Sequence, residues 1–275
     1  MWTTRGTFLT SLPPDEYHQG NDSVYTNNAV RAAVSFLLEA AIDLNVTLPA
    51  NYSDRLQRLS NNLVITYDSE KDYHPEFAGY DGSLVKQADV VLLNFPWGMT
   101  MNKSTVLNDL QYYASRTDPN GPAMTWSMFA VGYFSIGMTE IGSRYFLRGY
   151  VNNSFPPFYQ WSEVAGGGGC PNFLTGAGGF LQSIWAGLAG LRVQKGALIV
   201  KSFAFLPDTL SEVAIQRLSF LGSVLTIRVL RATNGLQVSV LVHTQGPGAL
   251  RLNGNLLVQG IPSVQSLESD ALISR

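Results

Sequence analysis

Residues 178–191 have the sequence GGFLQSIWAGLAGL, an uncharged run of small and apolar side chains. A helix that is apolar all round is typical of a protein interior, so the run predicts a helix buried on every side. From Arg192 onward the chain turns to β-branched and large aliphatic residues, and Asn234-Gly235 and Asn253-Gly254 are typical of hairpin turns. The sequence therefore predicts helices over residues 1–191 and a small antiparallel β domain over 192–275.

Five more helices are predicted upstream of this run. Apolar residues recur there at the three- and four-residue spacing of one helix face, as at Val30, Val34 and Leu37. The expected ranges are 26–44, 49–63, 102–115, 124–136 and 139–151. Long segments rich in Gly, Pro and aromatic residues separate them, and such long connections are usually functional. The fold class is therefore predicted as mainly α, with helix pairs recurring as in a toroid of helical hairpins.

Composition excludes several classes of protein. The 275 residues carry 18 basic and 20 acidic side chains, so no nucleic-acid surface is expected. The uncharged runs 119–139 and 164–191 reach the roughly 20 residues that span a bilayer, but Pro and Asn interrupt both, so no membrane span is expected. The single cysteine, Cys170, excludes a disulfide framework and a cysteine metal site. The three histidines have no metal-ligand spacing, and neither a metal nor another cofactor is predicted.

Five Asn-x-Ser/Thr sequons weakly favour a secretory environment, in which such asparagines can be glycosylated. They begin at Asn21, Asn45, Asn51, Asn102 and Asn152. An extracellular or lysosomal-type location is therefore predicted over a cytoplasmic one, with chance recurrence of the sequon as the alternative.

The first candidate site is the segment Asp15-Glu16-Tyr17-His18. It brings carboxylate, phenol and imidazole groups together just before a predicted helix. That mixture suits sugar recognition and general acid chemistry. The alternative is an N-terminal loop that only caps the helix.

The second candidate site is Trp161-Ser162-Glu163, followed by four glycines at 166–169. Glycines let the backbone approach a ligand closely, but no Lys-Ser/Thr follows as a nucleotide loop requires. The motifs of serine hydrolases, zinc proteases and dinucleotide-binding folds do not occur in the sequence. A mechanism with two carboxylates remains, and Glu16 and Glu163 are the predicted pair. The alternative is a flexible loop that leads into a buried helix.

A third segment, Lys86-Gln87, precedes an apolar run and follows another loop of polar and aromatic residues. A lysine in this context is often a surface group with a buried stem, which is the alternative to a sugar contact. Trp126 and Trp161 are candidates for stacking on a sugar ring, although most tryptophans belong to a core.

Taken together, these segments resemble glycoside hydrolase family 65, most closely its hydroxylysine-linked glucosidase branch. The resemblance spans roughly residues 13–200. The motifs that carry it are residues 14–18 with 25–27, 86–90, 121–128, and 161–163 with 172–182.

The resemblance implies an (α/α)6 barrel, of which this chain would hold the C-terminal part, followed by a small β domain. Glu16 would be the general acid and Glu163 the base that activates water, in an inverting mechanism with carboxyl groups about 6.5–9.5 Å apart. Lys86 and Gln87 would hold hydroxyls of the glucose. The remaining expected substrate contacts are Asp15, Tyr17, His18, Trp126 and Trp161.

The implied substrate is an α-glucoside such as the glucosylgalactosyl unit on collagen hydroxylysine. A carboxylate at Glu163 would repel phosphate, which favours hydrolysis over phosphorolysis. The alternatives are an acid trehalase or a disaccharide phosphorylase of the same family, and a carbohydrate-binding remnant without activity. The family's N-terminal sandwich and first barrel helices would precede Pro13. The chain is therefore expected to correspond to the end of a longer enzyme, and alone it need be neither stable nor active.

Overall fold

A computed structural model of the chain describes residues 21–275. These residues fall into two compact units, 21–122 and 123–275. The described residues contain six α-helices, namely α1 Val24–Asp43, α2 Tyr52–Asn62, α3 Lys103–Ala114, α4 Met124–Ser135, α5 Thr139–Val151 and α6 Leu174–Gln182. Their strands are β1 Ser154–Phe155, β2 Gln160–Val164, β3 Gly168–Pro171, β4 Leu191–Gln194, β5 Ala197–Val200, β6 Glu212–Phe220, β7 Ser223–Ala232, β8 Gly235–Thr244, β9 Arg251–Leu252, β10 Asn255–Leu256, β11 Ser263–Ser266 and β12 Ala271–Ser274.

Polar side chains define the start of α1 and hold it in the first unit. The helix begins two residues before the predicted start, because the Ser23 hydroxyl accepts a hydrogen bond from the Thr26 amide at 3.4 Å. Asn27 lies inside the helix, and its side-chain amide donates to the Val64 carbonyl at 2.8 Å. Arg31 donates to the Leu63 carbonyl at 2.7 Å, which ties α1 to the end of α2.

In the second unit α4 and α5 pack closely because two glycines of α5 face α4. A Cβ on Gly142 would come within 2.7 Å of the Phe134 ring, and one on Gly149 within 2.7 Å of the Ser127 hydroxyl. The residues of α4 from 125 to 134 are all buried. The predicted ranges of both helices differ from the observed ones by at most one residue.

The helix predicted over 178–191 begins earlier, at Leu174, and continues after α6 as a π-helical segment, Ser183–Leu188. Burial on every side is correct for Ala186 and Leu188, but it is wrong for the first half, where Leu181 is 59% exposed. Apolar composition shows that a helix avoids water, but it does not show on which sides the helix has neighbours.

The strands of the C-terminal region begin at Leu191, one residue before the predicted change at Arg192, and those that follow are antiparallel. They form a five-stranded sheet in the order β10-β9-β12-β5-β4 and a four-stranded sheet in the order β11-β8-β7-β6. Asn253 and Gly254, with φ angles of 47° and 83°, form the predicted two-residue turn between β9 and β10. A third sheet, β1-β2-β3, lies in the segment predicted as irregular, between α5 and α6.

One hydrophobic core joins the helices and the two larger sheets of the second unit. Phe134 of α4 and Leu188 of the π-helical segment belong to the same buried cluster as Ile227 of β7 and Val240 of β8. The predicted boundary between residues 191 and 192 falls inside this unit, and the division of the chain into two domains at that point stays a prediction. Within residues 21–275, no helix combines the length and apolar character needed to cross a bilayer.

Candidate functional site

The predicted site residues are distributed over the chain. Lys86 and Gln87 belong to the first unit, whereas Trp126, Trp161 and Glu163 belong to the second. The acid segment Asp15-Glu16-Tyr17-His18 lies outside the described residues. Its assignment therefore stays a prediction.

Glu163 is held by hydrogen bonds at both its backbone and its side chain. It lies on β2, where its carbonyl accepts from the Ala123 amide at 3.0 Å and from the Asn153 side-chain amide at 3.3 Å. Its Oε2 accepts from the Cys170 amide of β3 at 3.1 Å. The register of β2 and β3 shifts between Ser162 and Val164, and such an irregularity re-aims a side chain. The carboxylate is only partly buried, so it can reach water from a fixed position.

Gly169 of β3 leaves the space that the Glu163 side chain occupies. Its φ is 72°, and a Cβ there would meet the Glu163 Cβ at 2.8 Å and Oε2 at 3.0 Å. We expect Gly169→Ala to displace the carboxylate. If Glu163 is the base that the family resemblance implies, kcat for glucoside hydrolysis should fall by about 10- to 100-fold, since small misplacements of catalytic groups are costly.

Gly166→Ala is the matched control for this prediction. Gly166 has a similar φ of 81°, but a Cβ there meets nothing within 4 Å. Both variants therefore have the backbone strain of about 1–2 kcal/mol for a left-handed residue with a side chain, and only one of them moves Glu163. Equal kcat values for the two variants would contradict the prediction.

Trp161 lies two residues before Glu163 and packs under α6. Its ring centroid is 5.2 Å from that of Phe180, and a Cβ on Gly176 would come within 2.7 Å of the indole Cδ1. The indole Nε1 is buried and has no hydrogen-bond partner among the described residues. A buried donor without a partner is uncommon in folded proteins. Stacking of Trp161 on a sugar stays a prediction.

Trp126 is a core residue in this structure. It is 3% exposed, and the Arg148 guanidinium lies 3.4 Å from the centroid of its ring. Tyr145 stacks on it with a centroid distance of 6.0 Å. A sugar could stack on the ring face under Arg148 only if that side chain moved. The sugar contact of Trp126 stays a prediction.

Lys86 and Gln87 form a short loop directly after Val85, whose backbone is hydrogen-bonded to another segment of the first unit. The preceding residue, Val85, donates its amide to the Arg116 carbonyl at 2.7 Å and accepts from the Asp118 amide at 2.8 Å. Gly121 packs against the loop so closely that a Cβ would lie 2.3 Å from the Lys86 carbonyl oxygen. Both side chains are partly exposed. The loop is thus a supported element of the first unit and can present polar groups to a ligand.

A cluster of buried titratable residues in the first unit was not predicted as functional. The His74 amide and ring Nδ1 are 2.8 and 2.9 Å from the two carboxylate oxygens of Asp109. Glu76 is fully buried, and Asp89 is 8% exposed. The sequence offered one signal, which is a histidine and a glutamate inside a segment dense with tyrosine and phenylalanine. Their burial, however, depends on packing against α3, which periodicity does not reveal.

Burial and nearby charge act together on Glu76. Its Oε1 accepts from the Asp89 amide at 3.3 Å, and its Oε2 has no hydrogen-bond partner in the described part of the chain. Loss of hydration raises the pKa of the Glu76 carboxyl well above its ordinary value, and the charge of Asp89 raises it further. Burial, the largest effect, also raises the pKa of Asp109, which His74 partly offsets.

The raised pKa of Glu76 predicts a pH-dependent difference between the wild type and Glu76→Gln. A carboxyl group whose pKa is higher in the folded than in the unfolded state makes its full contribution to stability below its unfolded pKa of about 4.3. That contribution is lost as the pH rises through its pKa in the folded state. Asp109, His74 and Tyr113 remain in both proteins. We expect equal free energies of unfolding near pH 4 and a more stable variant near pH 7. Denaturant unfolding at both values tests this, and a less stable variant at pH 7 would contradict it.

Among residues 21–275 there is no group of three or more His, Cys, Asp or Glu side chains arranged to hold a metal ion.

Comparison with known proteins finds relatives over most of the chain. It is 42% identical over 213 residues to the protein-glucosylgalactosylhydroxylysine glucosidase of Danio rerio, a match to 77% of this chain and 32% of that protein. It is 30% identical over 263 residues to the periplasmic/secreted acid trehalase of Candida glabrata, covering 87% and 21% of the two chains. Its fold resembles that of a putative kojibiose phosphorylase from the human microbiome, with a TM-score of 0.65, 16% identity and coverage of 98% and 40%. No model of a protein family matches the chain.

By their names these relatives are a glucosidase and a trehalase, so the chain is a homologue of glycosidases. These relatives confirm the resemblance to the hydroxylysine-linked glucosidases that was inferred from the motifs. The chain spans about a third of the length of the glucosidases that it matches.

Proposed function

We propose that the chain carries the acid, the base and a sugar-binding loop of an inverting α-glucosidase. The observation that carries this proposal is the position of Glu163, a partly exposed carboxylate fixed on a β-hairpin by the Cys170 amide. The glucosidase and trehalase relatives support the same class of reaction. Because the chain spans only part of the length of these relatives, its own activity is a proposal.

The proposed reaction needs two carboxyl groups with opposite tasks. Glu16 donates its proton to the glycosidic oxygen, and the bond from that oxygen to the anomeric carbon breaks. Glu163 accepts a proton from water, whose oxygen attacks the anomeric carbon from the opposite face. The products are β-glucose and the released alcohol. Lys86 and Gln87 hold hydroxyls of the glucose, while Asp15, Tyr17, His18, Trp126 and Trp161 complete the sugar site.

Hydrolysis is favoured over phosphorolysis by the charge of Glu163. A phosphorolytic enzyme needs no base but must bind a phosphate dianion, which a carboxylate at that position would repel. We therefore propose water as the nucleophile. The proposed substrate is an α-glucoside such as the glucosylgalactosyl unit linked to hydroxylysine, the group in the name of the Danio rerio relative.

We also propose that the helices belong to a partial (α/α)6 barrel. Six helices precede the two larger sheets in the described residues, and the fold likeness to a phosphorylase chain extends over nearly the whole chain. In this arrangement the Lys86–Gln87 loop and the hairpin of Glu163 are connections between barrel helices. Residues 192–275 are the small β domain that follows the barrel.

A secretory route is part of the proposal. The side chains of all five sequon asparagines are exposed, namely those of Asn21, Asn45, Asn51, Asn102 and Asn152. One relative is named as periplasmic or secreted. Glycosylation at these positions is therefore sterically open, and a mass shift on treatment with an N-glycosidase would detect it.

Release of glucose by the full chain tests the proposed function. The chain is incubated with glucosylgalactosyl-hydroxylysine, kojibiose and trehalose, each with and without inorganic phosphate. We expect phosphate-independent release of glucose, greatest from glucosylgalactosyl-hydroxylysine. A rate that requires phosphate would contradict hydrolysis, and a preference for trehalose would overturn the proposed substrate.

The length of the chain favours a second candidate, which is carbohydrate binding without turnover. Part of a barrel can retain a sugar loop such as Lys86–Gln87 without a complete catalytic centre. Binding of glucose or kojibiose with no release of product, unaffected by Glu16→Gln, would support this candidate over the first.

A further inference from the structure

We infer that Glu76 is a positioning residue for the Lys86–Gln87 loop. It acts through the backbone at the downstream end of the loop, where its carboxyl group accepts the amide of Asp89. The connection of this loop with sugar binding rests on the proposed function. The inference about loop geometry stands on the contacts of Glu76 alone.

The contact lies at the point where the loop becomes helical. Asp89 is the first residue of a short 3₁₀ helix, Asp89–Leu92, and no side chain within that segment caps it. The first amides of a helix have no partner within it and need an acceptor from elsewhere. Glu76 Oε1 supplies one from 13 residues upstream, at 3.3 Å from the Asp89 nitrogen.

Glu76 is itself fixed to α1. Its carbonyl accepts from the amide of Val24, the first residue of that helix, at 3.1 Å. Two residues further on, the Ala78 amide donates to the Asn21 carbonyl at 2.8 Å. The segment carrying Glu76 is therefore attached to the start of α1, and its buried carboxyl extends that attachment to the loop.

The upstream end of the loop has separate supports. Val85 is bonded on both sides to residues 116 and 118, and Gly121 lies against the Lys86 carbonyl. Loss of the Glu76 contact should therefore release the downstream end of the loop and leave the upstream end in place. A residue that only contributed to the core would have no such selective effect.

Hydrogen exchange on the full chain tests the inference. Glu76→Met removes the acceptor with similar volume, whereas Glu76→Gln keeps an oxygen that can accept. Since one hydrogen bond is worth about 1 kcal/mol net, we expect exchange across residues 87–92 to accelerate about five- to tenfold in Glu76→Met and less than about twofold in Glu76→Gln. Asp109→Asn is the control for a buried polar change in the same unit, and it should not accelerate these residues selectively.

A second pair of variants removes the donor instead of the acceptor, in case Glu76→Met fails to fold. Asp89→Pro deletes the amide hydrogen at the first helical position, where proline is tolerated, and the extended Ala88 before it suits a following proline. Asp89→Ala controls for loss of the side chain. Faster exchange at residues 90–92 in Asp89→Pro than in Asp89→Ala supports the inference.

Titration with D-glucose separates the positioning role of Glu76 from the proposed sugar binding by Lys86 and Gln87. If Glu76 positions a sugar loop, Glu76→Met weakens glucose binding about five- to tenfold while Glu76→Gln binds as the wild type does. If Glu76→Met accelerates exchange in the loop but the wild type binds no glucose, the positioning role of Glu76 holds. The sugar role of Lys86 and Gln87 is then contradicted. Unchanged exchange at residues 87–92 in both Glu76→Met and Asp89→Pro would overturn the inference.

Discussion

Replacing Glu163 by Gln is expected to lower kcat for glucose release by about 10²–10⁴-fold, the range that a positioned general base contributes. The amide keeps the shape of the side chain and can still accept from the Cys170 amide, so the hairpin should remain intact. It cannot take a proton from water, and attack on the anomeric carbon then lacks its base. KM should change little, because the water is activated only in the transition state.

Glu140→Gln is the matched control for Glu163→Gln. Glu140 is an exposed glutamate of α5 in the same unit, 3.9 Å from Arg144, and its replacement should leave kcat within about twofold since exposed ion pairs contribute little. Azide needs no base to act as a nucleophile, so it should restore turnover in Glu163→Ala. Full activity of Glu163→Gln, or no rescue by azide, would contradict the assignment of Glu163 as the base.

The second large effect is expected at Phe134. This ring is fully buried and belongs to the core that connects α4, the π-helical segment and the two larger sheets. Its centroid lies 5.8 Å from that of Phe205. We expect Phe134→Ala to lower the free energy of unfolding of this unit by about 3–5 kcal/mol, the usual range for removal of a buried aromatic ring.

Denaturant unfolding followed by circular dichroism at helix and strand wavelengths measures this effect. Phe158→Ala is the control, since that ring is 88% exposed and its loss should change stability by no more than about 0.5 kcal/mol. Helix and strand signals should move together in Phe134→Ala. A strand transition that stays at the wild-type midpoint would show that residues 192–275 fold independently, and it would contradict the shared core.

The helices could be predicted because their apolar spacing is a local property. The spacing predicted α3, α4 and α5 to within one residue at each end, and α5 over its full length. The Asn253-Gly254 turn could be predicted because few residues other than Gly and Asn adopt positive φ readily. The small sheet of β1–β3 could not, since its segment is rich in Gly, Pro and aromatic residues and has no regular alternation.

The residues of the candidate site likewise differ in whether a local motif or tertiary packing reveals them. Glu163 and Lys86 could be singled out because each lies in a distinctive local motif. Glu76 could not, because its neighbours are Val24 and Asp89, which packing alone brings beside it. The core position of Trp126 under Arg148 is likewise a property of how α4 and α5 pack.

The proposed reaction is hydrolysis with inversion by the pair Glu16 and Glu163. Proton NMR of the glucose first released from an α-glucoside by the full chain tests it most directly, because the two anomers give separate signals before mutarotation mixes them. Inversion by this pair predicts β-glucose as the initial product. α-Glucose as the initial product would contradict a mechanism in which Glu163 activates water on the opposite face of the sugar.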